Sequence, residues 1–149
     1  IAVIVGEPDP ARPIPVRVHS SCATGDIFGS RRCDCGDQLN LALRRIDELG
    51  AGAVLYMDQE GRGLGLSNKM RAYELQDRGL DTVDANTALG YHEDERDYHA
   101  AAHMLAELGW RRVLLLTNSR SAARVILTSI AGSGTFQGIL LTEGLLAGP

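Results

Sequence analysis

Two kinds of apolar periodicity alternate along this chain, and this alternation limits most strongly the folds that are open to it. Short apolar runs predict strands at residues 16–18, 53–56 and 113–116. Between them, apolar residues recur at helical spacing over 39–49 and 98–108. Strands that alternate with helices are typical of an α/β layer fold. We therefore expect this fold class.

Turn and cap residues mark where the remaining elements begin and end. A helix is predicted from about residue 67 to 78, with Ser67 or Asn68 as its N-cap and Gly79 after its end. Asp97 is the predicted cap of the helix at 98–108. Residues 57–66 hold three glycines and predict a loop, whereas residues 80–90 are expected to be rich in turns.

Size and charge exclude several classes of protein. With 149 residues, 44% hydrophobic and 23% charged, the chain fits one domain with a real core, which we place at residues 1–149. The net charge of −4 disfavours a nucleic-acid-binding surface. No apolar stretch approaches the ~20 residues that cross a bilayer. We expect a soluble, cytoplasmic protein with no nucleic-acid or membrane partner.

Three cysteines, Cys22, Cys33 and Cys35, lie within fourteen positions of one another and point to a metal site rather than to disulfides. Three thiolates bind zinc tightly. Two interpretations stay open, with even weight. His19 could complete a closed structural site, or an open fourth position could hold the water of a catalytic site.

Polar groups in two other segments could carry chemistry. In the glycine loop, Glu60 could hydrogen-bond a base edge while Arg62 pairs with phosphate, although an ordinary solvated loop has the same composition. Asp94 and Arg96 are two apart, so only a loop could bring both to one ligand. Tyr73 has packing as its default role, and His99 and His103 are taken as surface residues.

Several motifs in register resemble GTP cyclohydrolase II, the family that opens riboflavin biosynthesis. The resemblance runs from about residue 14 to 120 and is far more specific than any single motif. It rests on the segments VRVHSSCATGD (16–26), RCDCG (32–36), QEGRGLGL (59–66), NKMRAY (68–73), LQD (75–77), DTV (81–83), AN (85–86), DERD (94–97) and LLTN (115–118).

The resemblance implies a mixed-sheet α/β fold flanked by helices, a homodimer, one zinc ion per chain and a magnesium ion that accompanies the nucleotide. Its expected reaction is hydrolysis of the imidazole ring of GTP at C8, with release of formate and pyrophosphate. The implied zinc ligands are Cys22, Cys33 and Cys35.

The resemblance also implies roles for individual residues. Asp94 matches the proton acceptor, Arg96 the group that attacks or clamps the α-phosphorus, and Tyr73 a tyrosine close to the zinc. The positions that match nucleotide-binding residues are Arg17, Gln38, Glu60, Arg62, Thr82 and Thr117.

Three positions depart from the family pattern. Ser21 and Asp58 stand where the family usually has glutamate and arginine, and Ala122 stands where it has a lysine that contacts phosphate. Less positive charge predicts weaker binding of a triphosphate. The alternatives are a paralogue that stops at the formamide or uses another guanine nucleotide, and a zinc-bearing nucleotide-binding module without catalysis.

Overall fold

The computed structural model describes residues 1–92, 94–117, 126 and 128, together with the backbone of residues 138–142. Five strands and four α-helices are described within these residues. The strands are β1 (Ala2–Val5), β2 (Ile14–Ser20), β3 (Gly52–Met57), β4 (Arg112–Leu116) and β5 (Gly138–Thr142). The helices are α1 (Cys35–Glu48), α2 (Leu66–Asp77), α3 (Thr82–Ala88) and α4 (His99–Glu107).

The strands form one mixed sheet in the order β1-β3-β2-β4-β5. Strand β1 pairs with β3 in the antiparallel sense, and the other three pairings are parallel. The register places Val18 opposite Leu55 and Val16 opposite Leu115. Helices flank this sheet, which confirms the predicted mixed α/β fold.

Both faces of the sheet are buried, as expected for parallel strands covered by helices. On one face, Val16 and Val18 belong to a cluster with Leu105 of α4. On the other face, Val54 and Leu116 pack with Ala42 and Ile46 of α1. Side chains alternate along a strand, so Arg17 lies on the α1 side of β2, away from its valine neighbours as predicted.

Helix α2 begins differently from the prediction. Its N-cap is Gly65, at φ 80° and ψ 164°, and no side chain caps it. Ser67 and Asn68 both lie inside the helix, so the predicted N-cap was wrong. The amide of Asn68 donates to the carbonyl of Leu64 at 3.1 Å and to the hydroxyl of Tyr91 at 2.8 Å. A glycine with positive φ turns the chain into the helix without a capping side chain.

The prediction of turns over residues 80–90 was also wrong, because this segment contains α3. Asp81 is its N-cap, and Oδ1 accepts hydrogen bonds from the backbone N–H groups of Val83 at 2.7 Å and Asp84 at 2.8 Å. Capping of this kind offsets the weak helix propensity of a short polar sequence. At α4, Asp97 accepts from the N–H of His99 at 2.8 Å, although Tyr98 occupies the N-cap position.

None of the helices within the described part of the chain combines the length and apolar character needed to cross a membrane.

Candidate functional site

A cleft of about 510 Å³ lies where the three central parallel strands end. The carboxyl ends of β2, β3 and β4 share one edge of the sheet, which is where ligands bind in open α/β sheets. Cys22 follows β2, Glu60 and Arg62 follow β3, and Thr117 follows β4, and all four residues line this strand-end cleft. The topology therefore brings together segments that lie far apart in the sequence.

The three cysteines form one cluster in this cleft. The sulfur atoms of Cys22, Cys33 and Cys35 all lie within 4.8 Å of one another, and those of Cys22 and Cys33 are 3.5 Å apart. Gly25 packs against the cluster so closely that a Cβ there would meet the Cys33 sulfur at 3.0 Å and the Cys22 sulfur at 3.2 Å. Three converging free thiols in a fitted cradle suit a thiophilic ion such as zinc.

Cys22 has an unusually polar environment for a buried thiol. Its sulfur accepts a hydrogen bond from Nζ of Lys69 at 2.9 Å and one from the N–H of Gly25 at 3.4 Å. Burial alone would raise the pKa of Cys22, but these hydrogen bonds and one with Thr24 lower it to about 7. The thiolate form that a metal ion needs is therefore accessible near neutral pH.

His19 does not join this cluster. Among the residues that the structure describes, the potential metal ligands grouped here are the cysteines alone. The imidazole lies 3.3 Å, Nε2 to Oδ1, from Asp26 and stacks on Tyr56 with ring centroids 5.7 Å apart. Asp26 in turn accepts from the N–H of Cys22 at 2.9 Å. This geometry does not support the closed site with His19 as fourth ligand.

Lys69 and Glu60 form a buried ion pair between α2 and the glycine loop. Nζ lies 2.8 Å from Oε1, and the side chains are 9% and 12% exposed. The other carboxylate oxygen accepts from the N–H of Ala23 at 2.6 Å. Glu60 is thus fixed by the cysteine segment, and its remaining acceptor capacity faces a cleft that it helps to line.

The glycine loop folds into a short 3₁₀ turn over Glu60–Gly63 in which Arg62 adopts φ 60°. Few non-glycine residues adopt this left-handed conformation. The carbonyl of Arg62 accepts from the N–H of Glu95 at 3.1 Å. Gln59, just before the turn, accepts at Oε1 from the N–H of Asp97 at 2.8 Å. These bonds join the loop to residues 94–97.

Asp94 and Arg96 form an ion pair in an extended loop, as their spacing requires. Arg96 lines the cleft, whereas Asp94 is not among the lining residues and is exposed. Burial would raise the pKa of Asp94, but its hydrogen bonds from Arg96 outweigh this effect and lower the pKa. The Asp94 hydrogen bond is also the main cause that raises the pKa of Arg96. Both groups are therefore charged at neutral pH.

Tyr73 lies on the face of α2 that carries Lys69, and both line the cleft. Four residues separate them, so they share one side of the helix. The guanidinium carbon of Arg32 lies 4.4 Å from the Tyr73 ring centroid, and Nζ of Lys69 lies 5.7 Å from it. Burial raises the pKa of Tyr73 and outweighs the opposing effects of Lys69 and of a hydrogen bond with Thr24. The phenol is protonated at neutral pH.

The remaining predicted nucleotide-binding residues complete the cleft wall. Nη2 of Arg17 donates to Oε1 of Gln38 at 2.9 Å, and Nε2 of Gln38 donates to Asp34 at 2.7 Å. Thr82 stands at the start of α3, and the buried Thr117 follows β4. All of these residues line the cleft.

The three departures from the family pattern fall in different environments. Ser21 lines the cleft and accepts from the N–H of Gln59 at 3.2 Å. Asp58 is exposed and is not among the lining residues. Ala122 lies outside the described residues. The position of Asp58 weakens the expectation that its charge acts on a nucleotide in the cleft.

The sequence alone indicates no role for several other residues that line the cleft, among them Lys69, Arg32, Tyr98 and Asn86. The helical spacing of Lys69 from Tyr73 could have indicated that both face one site. In the sequence, Tyr98 stands out only as a member of the apolar stripe over residues 98–108. It is buried, and the Arg96 guanidinium carbon lies 5.7 Å from its ring centroid.

Comparison with known proteins gives a consistent assignment. The chain is 57% identical over 119 residues to the riboflavin biosynthesis protein RibBA of Phocaeicola vulgatus, an alignment that covers 80% of this chain and 30% of that protein. It is 56% identical over 119 residues to RibBA of Bacillus cytotoxicus, with the same coverage. It is 53% identical over 123 residues to GTP cyclohydrolase-2 of Xylella fastidiosa, covering 83% of this chain and 31% of that protein.

The chain thus spans about a third of the length of these relatives. The sequence pattern that defines the GTP cyclohydrolase II family matches residues 1–130. This range includes all the residues that line the strand-end cleft. The chain belongs to the GTP cyclohydrolase II family.

Proposed function

We propose that residues 1–149 act as one catalytic domain that hydrolyses the imidazole ring of GTP at C8 and releases formate and pyrophosphate, as a homodimer. The observation that carries this proposal is the placement of three converging thiols in the same cleft as Arg17, Arg62 and Arg96. A thiol cluster suited to zinc and a set of guanidinium groups suited to a triphosphate are what this reaction requires together.

The metal would be held by Cys22, Cys33 and Cys35, which fit a zinc ion in number, type and convergence. When bound, zinc supplies Lewis acidity that makes water reactive near neutral pH. The cradle around the sulfurs includes Gly25, which leaves no room for a larger residue there. At this end of the cleft, the chain holds the three cysteine sulfurs in place and positions the guanine base of the nucleotide beside them.

Proton transfer falls to Tyr73 and Asp94 in this proposal. The phenol of Tyr73 keeps its proton at neutral pH because burial raises its pKa, so it can donate to nitrogen as the ring opens. Asp94 is a carboxylate at the same pH because its pKa is lowered, so it is in the form that can accept a proton. Its partner Arg96 links it to the cleft.

Phosphate binding falls to Arg62 and Arg96, with a magnesium ion accompanying the nucleotide. Because the pKa of Arg96 is raised, its guanidinium stays charged and lacks the free electron pair of a nucleophile. We therefore assign Arg96 to clamping the phosphate rather than attacking it. Glu60, Gln38, Arg17, Thr82 and Thr117 are assigned to the nucleoside and its nearest phosphate.

Incubation with GTP, zinc and magnesium, followed by a formate assay and mass analysis of the products, tests the proposal. The expected products are formate, pyrophosphate and a diaminopyrimidinone ribosylamino phosphate. A product that retains the formyl group would support the paralogue that stops at the formamide. Turnover of GDP in preference to GTP would support another guanine nucleotide. Nucleotide binding without any product would overturn catalysis and leave the binding module.

A further inference from the structure

The ammonium group of Lys69 is saturated by partners from two different parts of the site. Nζ lies 2.9 Å from the sulfur of Cys22, 2.9 Å from the hydroxyl of Thr24 and 2.8 Å from Oε1 of Glu60. An ammonium group has three hydrogens, so each partner receives one. The residue is only 8% exposed, and no hydrogen is left over for a ligand in the cleft.

The carboxylate partner is tied back to the same cysteine segment. Oε2 of Glu60 accepts from the N–H of Ala23 at 2.6 Å, and Oε1 also accepts from the N–H of Gly61 at 3.1 Å. Lys69 therefore connects Cys22 to Glu60 in the glycine loop, and Glu60 connects the loop back to Ala23. A shift of the Cys22 sulfur must disturb these contacts.

The glycine loop packs against the same lysine. Gly61 packs on the lysine stem, since a Cβ at Gly61 would lie 3.0 Å from Cβ of Lys69. Arg62, the next residue, holds its left-handed conformation at φ 60°. Such a conformation persists only where surrounding contacts enforce it. The contacts of Lys69 lie directly beside this strained position.

The carboxylate of Glu60 already pairs with the positive charge of Lys69. The bond to the Cys22 sulfur is additional, and it falls on an atom that the cysteine cluster would offer to a metal ion. Three thiolates around a divalent ion carry one net negative charge. A buried ammonium in contact with one of the sulfurs compensates that charge, and groups that hold metal ligands from outside tune metal affinity by about 10–100-fold.

We propose that Lys69 is a positioning residue that couples the sulfur of Cys22 to the glycine loop, so that metal affinity and the shape of the nucleotide loop depend on each other. The nucleotide role of the loop rests on the proposed function. The coupling itself is a property of the Cys22–Lys69–Glu60 contacts. It predicts that Glu60, which is not among the grouped metal ligands, affects metal affinity, and that it does so through Lys69.

A double-mutant cycle on zinc affinity tests the coupling. Zinc is titrated against a chromogenic chelator for the parent, Lys69→Met, Glu60→Gln and the double variant. Lys69→Met should weaken zinc binding by about 10–100-fold. Glu60→Gln should weaken it at least about threefold in the parent, because the ammonium group loses the carboxylate that holds it on the Cys22 sulfur, and have little effect once Lys69 is replaced. Additive effects, or no effect of either change, would overturn the proposal.

The spectrum of the cobalt-substituted protein gives a readout that general destabilisation would not move. A hydrogen bond lowers the energy of a sulfur electron pair, so Lys69→Met should shift the sulfur-to-cobalt charge-transfer band to longer wavelength. Arg71→Met removes the same charge from an exposed position on α2 and is the matched control, with no shift expected. An unchanged band in folded Lys69→Met would contradict the proposal.

Two further variants keep the test decisive if Lys69→Met does not fold. Lys69→Arg keeps the charge and should retain zinc affinity within a few fold. Glu60→Gln removes the carboxylate charge that pairs with the Lys69 ammonium group. Equal zinc affinity of Glu60→Gln and the parent would overturn the coupling. Neither the zinc titration nor the cobalt spectrum uses nucleotide. Failure of the proposed function would instead appear as absence of formate from the zinc-loaded parent.

Discussion

The guanidinium of Arg32 covers the ring of Tyr73, with 4.4 Å between the guanidinium carbon and the ring centroid. Nη2 also donates to the Tyr73 carbonyl at 2.9 Å and to Asp77 at 2.7 Å. Arg32 directly precedes the ligand candidate Cys33, so this contact fixes the cysteine segment against α2. It also holds the phenol ring beside the thiol cluster, where a proton donor for ring opening would be needed.

Tyr73→Phe should therefore separate binding from catalysis. The ring and its contact with Arg32 remain, while the hydroxyl is lost. We expect GTP turnover to fall by about 10²-fold, with GTP affinity changed little. Formate release and equilibrium binding of GTP are the measurements.

Tyr91→Phe is the matched control for this change, because Tyr91 is exposed and does not line the cleft. It loses a hydroxyl that accepts from Asn68 at 2.8 Å. Turnover should stay near the parent value. Full activity of Tyr73→Phe would remove its hydroxyl from the mechanism.

Cys33→Ser should lose both zinc and turnover, whereas the parent should carry about one zinc per chain. Serine is a poor zinc ligand, and two thiolates hold the ion much less tightly than three. Metal analysis of the purified proteins gives the stoichiometry, and the formate assay gives the activity. Stoichiometric zinc in this variant, with His19 as a ligand, would restore the structural-site interpretation that the contacts of His19 disfavour.

The cysteine cluster and three of the five described strands could be predicted from the sequence, because local spacing indicates both. Strands β1 and β5 were not predicted. The crowding of the cysteines predicted a metal site, and the apolar runs located β2, β3 and β4. Helix α3 was missed because seven polar and small residues give no periodic stripe, and its stability comes from the cap at Asp81. The role of Lys69 was missed because its partners, Cys22 and Glu60, are distant in sequence.

Asp94→Asn should leave nucleotide binding intact and lower the rate of ring opening by about 10²–10⁴-fold, since it keeps the shape of the side chain and removes the base. The asparagine can still accept a hydrogen bond from Arg96, so the loop should keep its conformation. Single-turnover measurement of formate release checks the chemical step. A rate equal to that of the parent would exclude Asp94 as proton acceptor.

His19 should make folding stability depend on pH. Burial is the main cause that lowers its pKa in the folded state, despite the opposing effect of Asp26. The unfolded chain then binds more protons near the ordinary histidine pKa of about 6.5, so this contribution to stability is present above that pH and is lost as the pH falls through it. Denaturant unfolding between pH 5 and 8 measures the effect.

His19→Gln is the comparison for that experiment. It should flatten the difference in unfolding free energy between pH 8 and pH 5.5. Both proteins are measured zinc-loaded and keep the same cysteines, so loss of metal in acid cancels to first order in the comparison. A pH dependence identical to that of the parent would show that His19 is not the group responsible.

Asp58 and Arg62, two of the three charged residues of the glycine loop, should respond very differently to neutralisation. Arg62 lines the cleft, whereas Asp58 is exposed and does not. Arg62→Gln should raise the KM for GTP by at least about tenfold, because it removes a charge-assisted contact with phosphate. Asp58→Asn should change KM by less than about twofold at physiological salt, since charges exposed to solvent are screened over about 8 Å. Steady-state kinetics at low and physiological salt distinguish the two positions. A large decrease in KM for Asp58→Asn that disappears as salt rises would show that Asp58 repels the triphosphate, as the sequence comparison with the family pattern first suggested.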